Sequence, residues 1–100
     1  MIVYAPVVRD HILAIDKSER SFIRQAIIDQ LSNEPNIESQ NRKPLKRPAE
    51  DGADWELRFA EQNRYRGFYR FDLVQREVRV LAVGVKERER LFIGGREMKL

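Results

Sequence analysis

The 100-residue chain has no cysteine, one histidine, one tryptophan, five glycines and four prolines. Without cysteine there is neither a disulfide framework nor a thiolate metal site, and a reducing compartment suits the chain. His11 is alone, on the predicted first helix, so a histidine-pair nuclease and a Ser-His-Asp set are both excluded. The glycines form no phosphate loop after a strand, and Gly94-Gly95 reads as a turn. No carboxylates cluster at metal-binding spacing. No apolar run approaches the roughly 20 residues that a membrane span needs, and no basic n-region opens the chain. A soluble, cytoplasmic protein with no cofactor, no metal and no membrane partner is expected.

What the chain does have is charge. Lys and Arg total 19 against 16 Asp and Glu, a net charge of +3 that makes a polyanion a plausible partner. The length predicts one domain over residues 1–100, with a single core of modest size.

Ile2 to Val8 reads as a strand, with Pro6 removing one donor and favouring an edge or bulge. Asp10 is placed to cap a short helix through Ile15. Asp16 and Glu19 have capping-box spacing for a longer one, about Lys17 to Ser32. In the second helix Phe22, Ile23, Ala26, Ile27 and Leu31 recur at three- and four-residue spacing, and Pro35 ends the pattern. Asn36 to Asp54 follows as an aperiodic connection, basic at Arg42, Lys43, Lys46 and Arg47. Three strands then form a meander. Trp55, Leu57 and Phe59 alternate with Glu56 and Arg58; Tyr65, Tyr69 and Phe71 oppose Arg66 and Arg70; Val78 to Val85 is almost continuously apolar. The fold class is therefore α+β, an N-terminal strand and helical hairpin packed on one face of a mainly antiparallel sheet, with the other face left to water or a ligand.

A hairpin turning symmetrically about Gln62 would set Arg58 opposite Arg66 and Glu56 opposite Phe68, diagonal to Arg66 and Arg70. Like charges directly opposite are destabilising, so an anion belongs between the arginines. Glu56 itself would make an ion-pair network with no ligand; a phosphate would make a binding site. Lys86, Arg88 and Arg90 alternate with Glu87 and Glu89, a pattern that by itself means a solvated charged turn.

Lys43-Pro44-Leu45-Lys46, Trp55-Glu56-Leu57-Arg58-Phe59, Arg64-Tyr65-Arg66-Gly67-Phe68-Tyr69, Leu81 to Lys86 and Arg90 to Gly95, in this order, resemble the RelE/ParE superfamily of toxins from bacterial toxin-antitoxin systems, RelE-like branch. The resemblance covers nearly the whole chain. It implies an α+β microdomain whose concave sheet face enters the ribosome and cleaves messenger RNA without a metal, neutralised by a cognate antitoxin. By position it makes Arg58, Arg66 and Lys86 or Arg88 the cations that hold phosphate, with Lys43, Lys46, Arg47 and Arg70 as further RNA contacts. Glu56 stands where the best-known members carry lysine, and becomes the candidate acceptor of the ribose 2′-hydroxyl proton. Phe92 stands nearest a C-terminal tyrosine and would stack on a base without offering a hydroxyl. The ParE branch, which inhibits DNA gyrase without a nuclease centre, and a non-toxic RNA-binding module are the alternatives.

Overall fold

A computed structural model describes residues 1–98. Strand β1 is Ile2–Tyr4, helix α1 Val7–Leu13 and helix α2 Arg20–Leu31, and six strands follow: β2 Arg42–Pro44, β3 Trp55–Phe59, β4 Tyr65–Asp72, β5 Glu77–Glu87, β6 Arg90–Ile93 and β7 Arg96–Met98. The sheet runs β2-β3-β4-β5-β6-β7, every neighbouring pair antiparallel. β1 joins β5 in parallel, so the N-terminal strand sits beside the strand that crosses the middle of the sheet.

α1 starts at Pro6, whose fixed φ suits a helix start and whose missing N–H is not needed there. Asp10 lies inside this helix and does not cap it. Arg20 secures its end, donating through Nη2 to Leu13 O at 2.9 Å and through Nε to Ile15 O, two residues beyond the helix, at 3.1 Å. Asp16 does cap, though it accepts from Ser18 N and Oγ and opens a single 3₁₀ turn, Lys17–Glu19, ahead of α2. Those hydrogen bonds hold the Asp16 carboxyl below its ordinary pKa.

α2 buries Ile23, Ile27 and Leu31, one residue per turn of a single face. This face and Val8, Ile12 and Ile15 pack on Leu57, Phe59, Tyr65, Tyr69, Val78, Val80 and Val83 of the sheet. Phe22, expected within the stripe, lies at its margin and stays half exposed. A bulge between Phe68 and Tyr69, opposite Leu81, lets β4 and β5 keep their apolar residues on the helix side through a one-residue mismatch. Tyr69 stacks on Trp55 at 6.1 Å and donates its hydroxyl to Pro35 O at 2.6 Å, which ties the end of the helical layer to the sheet.

Two expectations change in scale. The meander has five strands, β3 to β7, because Gly94 and Gly95, both at positive φ, turn the chain back after β6. The connection Asn36 to Asp54 contains β2, whose three residues pair with the open edge of β3. Asn41 secures that edge: its backbone carbonyl accepts from Arg58 N and its side-chain Nδ2 donates to Arg58 O, each at 2.8 Å. With three residues, one of them proline, β2 has no alternation to reveal it. No described helix is long and apolar enough to cross a membrane.

Candidate functional site

The side of the sheet away from the helices is built by the residues between the core positions. The pairing sets Arg58 opposite Arg66 and Glu56 opposite Phe68, the register expected from a turn centred on Gln62. Two cross-strand rows result. One runs Lys43, Glu56, Phe68, Ala82; the other runs Arg58, Arg66, Gly84, Ile93.

Glu56 lies at the meeting point of the two arginines. Its Oε1 accepts from Arg58 Nε at 2.8 Å and its Oε2 from Arg66 Nη1 at 2.9 Å. Arg66 also donates through Nε to Asn63 O at 3.1 Å, so the turn after β3 fixes its side chain. Glu56 is 7% exposed and Arg66 9%, whereas the side chain of Arg58 remains 40% exposed. Charge-assisted bonds of this length are the strong kind, and a buried carboxylate requires them. The arginine pair is thus on the uncovered side and convergent, but already holds an anion of its own, and only Arg58 faces solvent substantially.

The other expected residues spread outward from this trio. Lys43 is aligned with Glu56 and pairs with Glu38 at 3.6 Å. Arg70 is exposed, stands opposite Arg79 and lies against Gly52; Arg79 pairs with Glu77 at 3.5 Å. Lys46 and Arg47 are exposed beyond the end of β2. Arg42, although part of the same basic run, points to the helix side, where it donates to Ile37 O and Gln30 O. Phe92 does not join the face. It is in register with Val85, whereas its neighbours Leu91 and Ile93 reach Gly84, so strand alternation puts it on the other side. Any base that it stacks on would therefore lie on the side of the sheet opposite Arg58 and Arg66.

Lys86 and Arg88 belong to a cleft of about 780 Å³ at the end of the sheet, between the β3–β4 turn, the β5–β6 turn and the start of α2. Lys86 shares a strand side with Gly84 and so with Arg66, which places it at the border of open face and cleft. Glu19, Phe22, Arg64 and Tyr65 also line this cleft. The Tyr65 hydroxyl is buried and reaches no partner at good hydrogen-bond geometry among the described residues, although the Glu19 carboxylate lies close enough to interact with it. Burial pushes its pKa up; the Arg64 guanidinium, 5.4 Å over its ring, opposes this and the Glu19 carboxylate adds to it. Glu19 and Tyr65 had no mark in the sequence as site residues, since one reads as a capping carboxylate and the other as core.

The chain matches no family model, no curated protein and no solved structure at a significant level.

Proposed function

We propose that the protein is a toxin of the RelE type, which takes the phosphate chain of messenger RNA across the open sheet face and cleaves it on the ribosome. The support is the cross-strand pair Arg58 and Arg66, convergent on a single anion on the side that the helices leave free. Arginine forks fit a phosphodiester oxygen pair as they fit a carboxylate. An incoming phosphate replaces Glu56 at the more exposed guanidinium, that of Arg58, while Arg66 keeps its bond to Oε2. The exchange leaves Oε1 free beside the bound phosphate. There it accepts the proton of the ribose 2′-hydroxyl as that oxygen attacks phosphorus. Arg58, Arg66 and Lys86 offset the charge that grows on the phosphorane, and the departing 5′-oxygen takes a proton from water or a cationic side chain.

A cognate antitoxin with an acidic segment would cover the same cations. Programmed ribosomes incubated with the purified protein test the proposal. Cleaved messenger is expected, with Arg58→Ala and Arg66→Ala each losing at least tenfold in rate. Glu56→Gln should lose cleavage yet still bind ribosomes, and undiminished cleavage by that variant removes the proton-transfer role. Inhibited gyrase supercoiling with intact messenger would favour the ParE alternative. RNA binding with neither effect would leave a binding module.

A further inference from the structure

The cleft beside Lys86 has features that a charged turn does not require. Tyr65 is 2% exposed, yet its hydroxyl meets only the nearby Glu19 carboxylate, without good hydrogen-bond geometry, among the described residues. A buried hydroxyl left this poorly satisfied costs about 1–3 kcal/mol, and a phenylalanine would avoid it. Beside it, the Phe22 ring is 49% exposed, tilted against Phe59 and Tyr65 with centroids 6.4 Å away in each case. The backbone around the cleft is strained as well. Ala60, Gln62 and Arg88 line it and adopt φ of 70°, 58° and 58°, a left-handed region that side chains with a Cβ rarely enter. The β6–β7 turn meets the same need with Gly94 and Gly95.

We infer that this cleft is a nucleobase subsite selective for guanine, filled by a base of the RNA strand whose phosphates lie on Arg58, Arg66 and Lys86. The inference rests on the reading of the open face as an RNA track. A flat wall, a carboxylate and a hydroxyl donor are the elements that read the Watson–Crick edge of an unstacked base. Guanine presents two parallel donors, N1–H and N2–H, which match the two oxygens of Glu19, and next to them the O6 acceptor, which matches the Tyr65 hydroxyl. Adenine and cytosine each offer only an amino donor beside a ring-nitrogen acceptor, which would face a carboxylate oxygen. Uracil offers a single N–H. Phe22 supplies the stacking surface. Lys86, two residues along β5 from the Gly84 that faces Arg66, is about 7 Å further on, roughly one phosphate spacing along an extended strand.

The test is a titration of the isotope-labelled full-length protein, followed by amide chemical shifts, with GMP, AMP, CMP and UMP, and with guanosine, which has no phosphate. GMP should bind at least tenfold tighter than the other three nucleotides and shift the amides of residues 19–22 and 60–65. Glu19→Gln should erase the preference. Tyr65→Phe should weaken GMP severalfold while the melting temperature holds or rises, a combination that a purely structural tyrosine would not give. Guanosine should bind Arg58→Ala as tightly as it binds the wild type, whereas GMP should weaken, which separates the base subsite from the phosphate track. Equal affinity for all four nucleotides, or undiminished GMP binding by Tyr65→Phe, overturns the assignment. A guanine preference in a protein that cleaves no messenger would leave the subsite standing and remove the toxin reading.

Discussion

The two faces of the sheet come from the same strands, residue by residue in alternation, and are held by different forces. On the helix side Leu57, Tyr69 and Val83 are completely buried, and their contribution grows with apolar area removed from water, at about 25 cal/mol per Å². On the other side the row Arg58, Arg66 is held by Glu56, and the gain from each ion pair is largely offset by the desolvation of its members. A face of the first kind stabilises the fold whatever the solution contains. A face of the second kind is nearly balanced, and a competing anion can therefore enter it.

Removing one contact from each face separates them most sharply. Leu57→Ala should cost about 4 kcal/mol, within the range for fully buried leucines, because α2 and the flanking strands cannot close over the gap. Chemical denaturation reads this directly, and added phosphate should not restore it. Glu56→Gln leaves the buried Arg66 without its carboxylate. Its expected cost is about 2–3 kcal/mol, below that of a fully buried pair, since Arg58 can turn to solvent. Phosphate or sulfate should restore a good part of that loss by supplying the negative charge that the two guanidinium groups then lack. If the anion restores both variants equally, the contrast between the faces fails.

Much of this division was legible in the strands themselves. Trp55-Glu56-Leu57-Arg58-Phe59 states its two faces by alternation, and a symmetric turn about Gln62 was sufficient to bring Arg58 opposite Arg66. The network reading of Glu56 was open from the start, but not its depth of burial, which depends on Arg66 being fixed by Asn63 O from the turn. The side on which Phe92 lies was not legible, because it is set by the register of β6 on β5, a pairing that three apolar residues in a row, Leu91-Phe92-Ile93, do not declare. β2 and the poorly satisfied hydroxyl of Tyr65 were silent for a similar reason. Each is fixed by what a distant segment supplies or withholds.

Between the faces, the β5–β6 hairpin depends on one missing side chain. A Cβ on Gly84 would lie 2.9 Å from Phe92 O and from Ile93 Cγ1, and 3.1 Å from Leu91 Cδ1. Because one of these neighbours is backbone, a rotamer change cannot relieve the clash. Gly84→Ala should cost about 2 kcal/mol and raise hydrogen exchange in β6 and β7. Gly67→Ala, whose Cβ would meet only Leu57 at 3.7 Å, should be mild by comparison. Equal exchange in the two variants would mean that β6 is held by something other than its closeness to β5.

The smallest effect expected is one of pH, at the edge of β5 that β1 and β6 share. β1 pairs with β5 only as far as Val80, and the pairing of β6 with β5 starts at Gly84. Val83 N–H falls in the gap and donates to His11 Nδ1 at 3.3 Å. That bond requires the neutral ring, since a protonated Nδ1 cannot accept. Burial lowers the His11 pKa below its ordinary 6.5, with Asp10 and Asp51 opposing. The unfolded chain therefore takes up the proton before the folded one does. The contribution is complete above the ordinary value and is lost as pH falls from there through the lower native value. In difference melting curves from pH 8 to 4.5, the wild-type protein should lose under about 1 kcal/mol relative to His11→Gln, whose amide oxygen can accept from Val83 at every pH. Parallel curves would mean that the edge of β5 is closed without help from the imidazole, leaving the β1–β6 gap as tolerant of exchange as the charged face beside it.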